Sequence, residues 1–383
     1  MRVIVVGGGI MGLACAWALV RRGQEVTLYE QGPVPNPLAS SHDQHRLIRF
    51  TYGAMTGYAR MVADAYAAWQ RLWADLGRSH YRPSGTLVIA RAAGGWVEQS
   101  IACLEQLALP VERWTAADVA RRLPFLALGR PEFALFTPTG GVLLAERILQ
   151  DLARHLAEKG VAVHARTPVA EVDPARALIR TADGREDHAD ALVIAAGPWA
   201  PALLPALAAR VTPSRQVALY LEPPAGLQAA WAAAPMLLDQ IEAAEGGWYA
   251  VPPVAGTALK VGDHGFSLTG NPDLERAPSA GELATVLALA RSRLSDFGRY
   301  RVLEARTCFY SVTADERFVV ERCERAWILA GFSGHGFKFG ALIGERVAAA
   351  LAGEQSAHEL AAWAAGHGQP TLERGLPPLR ALL

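Results

Sequence analysis

"RVIVVGGGIMGLACAWALVRRGQEVTLYE", residues 2–30, decides how the rest of the chain is read. A short β-branched run, "RVIVV", meets a cluster of glycines. A helical apolar pattern follows, and then a second strand-like run that closes on Glu30. Gly7, Gly9 and Gly12 form G-x-G-x-x-G, with Glu30 18 residues after Gly12. Gly7 permits the tight turn, Gly9 lets a pyrophosphate approach the backbone, and Gly12 lets the helix pack on the sheet. The helix N-terminus turns amide donors and the positive end of its dipole toward phosphate. Glu30 is placed to accept from a ribose hydroxyl and to repel a 2′-phosphate. The stretch predicts a site for an adenine dinucleotide, either FAD or NAD. Its glycines interrupt the apolar run and no cleavage-like site follows, so a nucleotide-binding strand and helix explain it better than a signal peptide or membrane anchor.

Further along, the same grammar returns twice. "DALVIAAGPWAPAL" (190–203) reads as a buried strand, a Gly-Pro turn and a helix, and "AWILAGFSGHG" (326–336) again as strand and turn before a helix. Between them the pattern changes. Tyr58, Val62, Ala65, Trp69, Leu72 and Leu76 recur at helical spacing over 55–76, strand-like text begins at 81–90, and 214–303 carries short strands, prolines and one helix near 281–297. The dinucleotide domain is therefore expected in three pieces, 1–83, 138–213 and 304–368. A substrate domain occupies 84–137 and 214–303, and 369–383 forms a tail. A nucleotide domain divided in this way favours FAD over NAD. At 383 residues, two domains are the natural expectation.

Composition narrows the partners. Basic and acidic residues balance at 37 each, which gives no support for a nucleic-acid or anionic-membrane partner. Only Lys159, Lys260 and Lys338 are lysines, and the last two sit in apolar, glycine-rich text, where a compact ammonium meets a need that a guanidinium does not. Cys15, Cys103, Cys308 and Cys323 make no CxxC pair and no metal spacing, so neither a disulfide framework nor a metal is expected, and a reducing, cytoplasmic setting fits. "GFSGHGFKFG" (331–340) combines four glycines with His335 and Lys338, a backbone kept bare for close approach.

The fingerprint, "SSHDQHRLIRFTYG" (40–53), "TALKVGDH" (257–264), and "TCFYSVTADERFVV" (307–320) with "GFSGHGFKFG" together resemble the monomeric sarcosine oxidase and N-methyltryptophan oxidase group of FAD-dependent amine oxidases, within the D-amino-acid-oxidase-like superfamily. The resemblance spans nearly the whole chain. It implies an α/β fold: an FAD-binding Rossmann-like domain of the glutathione-reductase type with an inserted α+β substrate domain on a mixed or antiparallel sheet. By the same resemblance, Cys308 carries FAD covalently through the ring's 8α carbon, with Tyr310 beside it. Lys260 activates oxygen next to the ring, and His264 and Tyr249 line the pocket. Arg49 and Lys338 hold a substrate carboxylate, Arg46 contacts the flavin, and His335 lies close to the ring. Gly334 and Gly336 bring amides to the flavin's pyrimidine end, while Ser41 and Gly197 complete the cofactor contacts. His45 departs from the pattern, since the family commonly has a small hydroxyl residue there.

The activity implied is oxidation of a secondary amine bearing a carboxylate, an N-methyl or cyclic imino acid, to an imine that water hydrolyses, with oxygen reduced to hydrogen peroxide. The partners expected are that small amine and O2, acting on a monomer with no membrane. Three rivals remain: a flavin dehydrogenase passing electrons to a quinone or carrier, a nicotinamide-linked dehydrogenase, and a flavin-bound module without turnover.

Overall fold

The computed structural model describes residues 1–367 apart from 92–93, 128, 130–131, 240–246 and 275, so the expected tail at 369–383 lies outside the described residues. A six-stranded sheet forms around Arg2–Val6, which pairs in parallel with Glu25–Tyr29 on one side and Ala191–Ile194 on the other. Ala162–His164 extends one edge. Ala326–Ala330 extends the other, with Val319–Cys323 antiparallel beyond it. The central strands Arg2–Val6, Ala191–Ile194 and Ala326–Ala330 are almost wholly buried, which matches their apolar runs, since a parallel sheet is covered on both faces.

The glycines of the first turn act as their spacing predicts. Gly7 adopts φ +108°, and a Cβ on Gly12 would lie 1.8 Å from the Gly7 carbonyl oxygen. Helix Ile10–Arg21 can therefore rest directly on the turn. Against its outer side packs helix Gly340–Leu351, where a Cβ on Gly344 would lie 2.4 Å from the Ala14 oxygen. Helix Thr56–Leu76 buries Tyr58, Val62, Ala65, Trp69 and Leu72 and ends at Gly77, whose φ of +70° supplies the left-handed stop. The Trp69 indole donates to the Lys338 carbonyl at 2.7 Å, tying this helix to the glycine-rich turn.

The second sheet has eight strands, all antiparallel except where Met236–Asp239 runs beside Thr86–Ala90. Helix Ala280–Arg293, started by a Ser279–Glu282 capping box, buries Val286 and Ala290 on it, in one apolar cluster with Leu219 and Val261. Its outer strand is Arg301–Val312, paired along its length with Thr212–Glu222. That corrects the expected boundary at 304, since Cys308 and Tyr310 ride on the larger sheet and not on the dinucleotide sheet. The physical reason is continuity: twelve residues form one uninterrupted strand before the chain turns back to Val319–Cys323. A small sheet of Arg46–Ile48, Gly141–Leu143 and Tyr81–Pro83 lies between the two and carries Arg46.

Gly12→Ala is expected to cost about 3 kcal/mol, because backbone faces the new methyl and neither side can yield. Gly226→Ala, with nothing within 4 Å, is expected to shift stability by less than about 0.5 kcal/mol. Thermal unfolding of the two variants beside the parent checks both.

Candidate active site

A cleft runs from the first glycine turn to the larger sheet as two adjoining cavities. The first, about 280 Å³, is lined by Gly7, Gly9, Glu30, Ser41 and Gly197 and, at its far end, by Arg46, Tyr310, Gly334 and Gly336. The second, about 450 Å³, is lined by Arg49, Tyr249, Lys260, His264, His335 and Lys338. Arg46, Tyr310, Gly334 and Phe337 border both. The first cavity therefore leads from the glycine turn to the shared border, the course an extended dinucleotide would follow. Gly12 is absent from the lining, and its place is in the packing beneath the turn.

At the nucleotide end, the Glu30 carboxylate accepts from the Gly8 amide at 2.6 Å, the Gly32 amide at 2.9 Å and the Asn36 amide at 2.8 Å. These bonds hold it at the wall of the first cavity. Ser41 accepts from the Ile10 amide at 2.9 Å, so it caps the first helix as well as lining the cleft. Gly197 takes φ +55° at the turn after Ala191–Ile194.

Gly334 and Gly336 are bare for a reason beyond ligand approach. A Cβ at either position would lie 2.6 Å from the ring of Tyr310 or the side chain of Phe332 respectively. Packing within the chain therefore demands glycine as well. The same turn directs Lys338 inward. Its ammonium donates to the Tyr52 hydroxyl and to the His335 carbonyl, each at 2.9 Å. Tyr52 continues to His335 Nδ1 at 3.3 Å, and His335 Nε2 faces the Glu316 carbonyl at 2.9 Å. Because Nε2 must donate to that carbonyl, Nδ1 is the acceptor, and the relay leaves Lys338 one donor for the cavity. Burial, with Arg49 nearby, holds the Lys338 ammonium well below its ordinary pKa.

Arg49 stacks over the rings of Tyr52 and Trp96, at 4.9 and 5.6 Å, and makes one long hydrogen bond, 3.4 Å to Thr51. Neither Arg49 nor Lys338 has an acidic partner within ion-pair distance among the described residues, although Lys338 is only 4% exposed. Two cations that face one cavity, Lys338 buried and Arg49 partly buried, with Glu316 on the same wall but ion-paired to neither, mark a place for an anion.

Lys260 lies on Leu259–Asp263, opposite Tyr220, and is 5% exposed. Its ammonium donates to Asp43, which also accepts from Arg46 and from the Tyr220 hydroxyl. Cys308 is half-buried, its sulfur 3.8 Å from an Arg46 nitrogen. It lines a small pocket between Asp43, Lys260 and Tyr310 instead of either large cavity. The ring of Tyr249 lies 5.8 Å from the Lys260 ammonium and 5.4 Å from the ring of His264. Burial pushes His264 down to about 4, so it is neutral at pH 7. His45 is wholly buried, with Nε2 on the Ala258 carbonyl at 3.0 Å and Nδ1 without a partner among the described residues, and burial pushes it down to about 4.

Sequence reasoning missed Asp43, Tyr52, Trp96 and Glu316. Asp43 stood inside the motif at 40–53, but its partner Lys260 is 217 residues away, and local pattern carries no trace of that pairing. The aromatic platform under Arg49 is likewise assembled from separate elements.

Residues 2–350 match the family described as FAD dependent oxidoreductase. The chain is 31% identical to a monomeric sarcosine oxidase of Streptomyces avermitilis over 362 residues, covering 90% of this chain and 92% of that protein. It is 26% identical to an N-methyl-L-tryptophan oxidase of Yersinia pestis over 351 residues, covering 90% and 92%. The fold is also that of a glycine oxidase from Geobacillus kaustophilus, with TM-score 0.78 and 21% identity over 95% of this chain and 98% of that one. The glycine turn, the fixed carboxylate of Glu30 and the continuous cleft are what such a match requires, and the chain belongs to the FAD dependent oxidoreductase family.

Proposed function

We propose that the protein is an FAD-dependent oxidase of secondary amines that carry a carboxylate, an N-methyl or cyclic imino amino acid, and that its electron acceptor is O2. One observation carries the substrate class: Arg49, partly buried, and Lys338, buried, face one cavity, and among the described residues no carboxylate forms an ion pair with either. A planar fork and a point charge converging on one carboxylate fix the position of the carbon next to it. The apolar and aromatic lining, with Trp96, Tyr249 and Phe266, suits an amine with modest hydrocarbon bulk. Bound in the first cavity, FAD would supply a two-electron acceptor for the carbon–nitrogen unit and, once reduced, a two-electron donor that converts oxygen to hydrogen peroxide. The imine left behind is hydrolysed by water.

The residues of the chain supply orientation and field. Arg49 and Lys338 anchor the substrate, and the Lys338–Tyr52–His335 relay keeps the ammonium aimed at it. Arg46, Tyr310 and Gly334, on the border of the two cavities, face the ring end of the cofactor. Lys260, on the wall of the second cavity, offers a fixed cation where oxygen acquires negative charge. Cys308, beside Arg46, is the proposed point of covalent attachment. The four unpaired cysteines support a reducing setting, and a cytoplasmic monomer is the form we propose. No helix among the described residues is long and apolar enough to cross a membrane.

Three outcomes test this reading. Acid precipitation of the purified yellow protein is expected to leave the colour in the pellet, and Cys308→Ser to release it to the supernatant. Lys260→Met is expected to slow reoxidation by oxygen about 100-fold while leaving substrate reduction within a few-fold, measured by stopped-flow absorbance. Lys338 is charged only below its depressed pKa, so a small carboxylate such as acetate should bind more weakly as pH rises through that value. Lys338→Arg, whose guanidinium stays charged, should flatten the dependence; an unchanged slope in a titration of the dissociation constant would remove Lys338 from the anchor.

A further inference from the structure

Asp43 sits on the segment that leads from the dinucleotide sheet to the small sheet, between Ser41 and Arg46, and is 3% exposed. One carboxylate oxygen accepts from both the Lys260 ammonium and the Arg46 guanidinium, while the other accepts from the Tyr220 hydroxyl at 2.5 Å. Three separate elements thus converge on it: Arg46–Ile48, Thr212–Glu222 and Leu259–Asp263. Among the described residues it is the only carboxylate paired with either cation. His42, His45, Tyr249, Cys308 and Tyr310 also surround the group, and Asp263 and Arg306 are the further charged side chains on its pocket, neither of them ion-paired with Asp43, Arg46 or Lys260 among the described residues.

Two cations on one oxygen stand close enough to repel strongly in a buried setting. Arg46 cannot shed its charge, so without Asp43 the group that yields is Lys260. The balance of effects on each partner agrees. Burial draws the Lys260 ammonium downward and Asp43 opposes that pull, while burial of Asp43 itself is outweighed by Arg46 and Lys260, which hold it well below the usual carboxylate range.

We propose that Asp43 is the positioning residue that keeps Lys260 charged and aimed into the substrate cavity beside Arg46. The proposal rests on the reading of Lys260 as the cation that serves oxygen. Arg46, Lys260 and Asp43 together leave one net positive charge at the border of the cavities. Lys260→Met removes that charge. Asp43→Asn, with Lys260 turned neutral, preserves it but loses the ammonium from its working position.

The experiment measures two quantities on the flavin-loaded protein: the flavin midpoint potential, which rises with local positive charge, and the rate of reoxidation by oxygen. Lys260→Met is expected to lower the potential and to slow reoxidation about 100-fold. Asp43→Asn is expected to leave the potential near that of the parent and to slow reoxidation as much, with the double variant matching Asp43→Asn in both. A raised potential with reoxidation undiminished in Asp43→Asn would show Lys260 charged without its partner and overturn the proposal. Should Lys260→Met leave reoxidation unchanged, the oxygen role of Lys260 falls, and the potentials of the three variants still decide whether Asp43 governs its charge. If Asp43→Asn purifies without flavin, the double variant is expected to do the same, since Lys260 is already neutral there; a double variant that regains flavin would show an unbalanced, charged Lys260 in Asp43→Asn and overturn the proposal.

Discussion

Burying a cation away from water is costly unless an anion accompanies it, and this protein sets four along one cleft, Lys260 and Lys338 buried and Arg46 and Arg49 partly buried, with Asp43 the one carboxylate ion-paired to any of them among the described residues. Arg46 and Lys260 share Asp43, while Arg49 and Lys338 rely on aromatic faces, a hydroxyl and a carbonyl. That imbalance destabilises the empty site, and the rest of the fold must be rigid enough to sustain it. It also gives the cleft its chemistry, because an anionic substrate group, or charge that develops during reaction, restores the balance.

The rigidity comes from two sheets that meet at the site from different directions. The dinucleotide sheet contributes a turn so tight that Gly12 has no room for a methyl group, and a second glycine contact locks the first helix to the last long one. The eight-stranded sheet contributes Lys260, Tyr249, Cys308 and Tyr310 from paired strands whose register is regular around these residues and shifts only between Tyr220 and Leu221. Side chains on paired strands are held more firmly than those on loops, which suits residues whose charges must not wander. The glycine-rich turn then closes the cleft, its missing side chains replaced by the rings of Tyr310 and Phe332.

The departure at His45 acquires a physical setting in this arrangement. A neutral imidazole, anchored through Nε2 to the Ala258 carbonyl, presents an unoccupied acceptor beside the Asp43 network. Where a hydroxyl both donates and accepts, this ring on its free side only accepts. It is also bulkier, and it is fully buried at the wall of the substrate cavity.

Local sequence determined the first strand, turn and helix, because glycine spacing, β-branched runs and helical periodicity act over a few residues. It also singled out Lys260 and Lys338 as lysines in surroundings where solvated lysines do not belong. The tertiary structure decided everything that depends on convergence. Strand Arg301–Val312 joins the larger sheet because its pairing partner begins at Thr212, which no local pattern announces. Asp43 meets Lys260 across 217 residues, and Arg49 finds Trp96 beneath it only once the helices have packed. Charge balance in a buried site is a property of distances between elements. Sequence therefore supplied the charged groups one by one, and the fold alone determined which of them share a counter-ion and which are left to bind one.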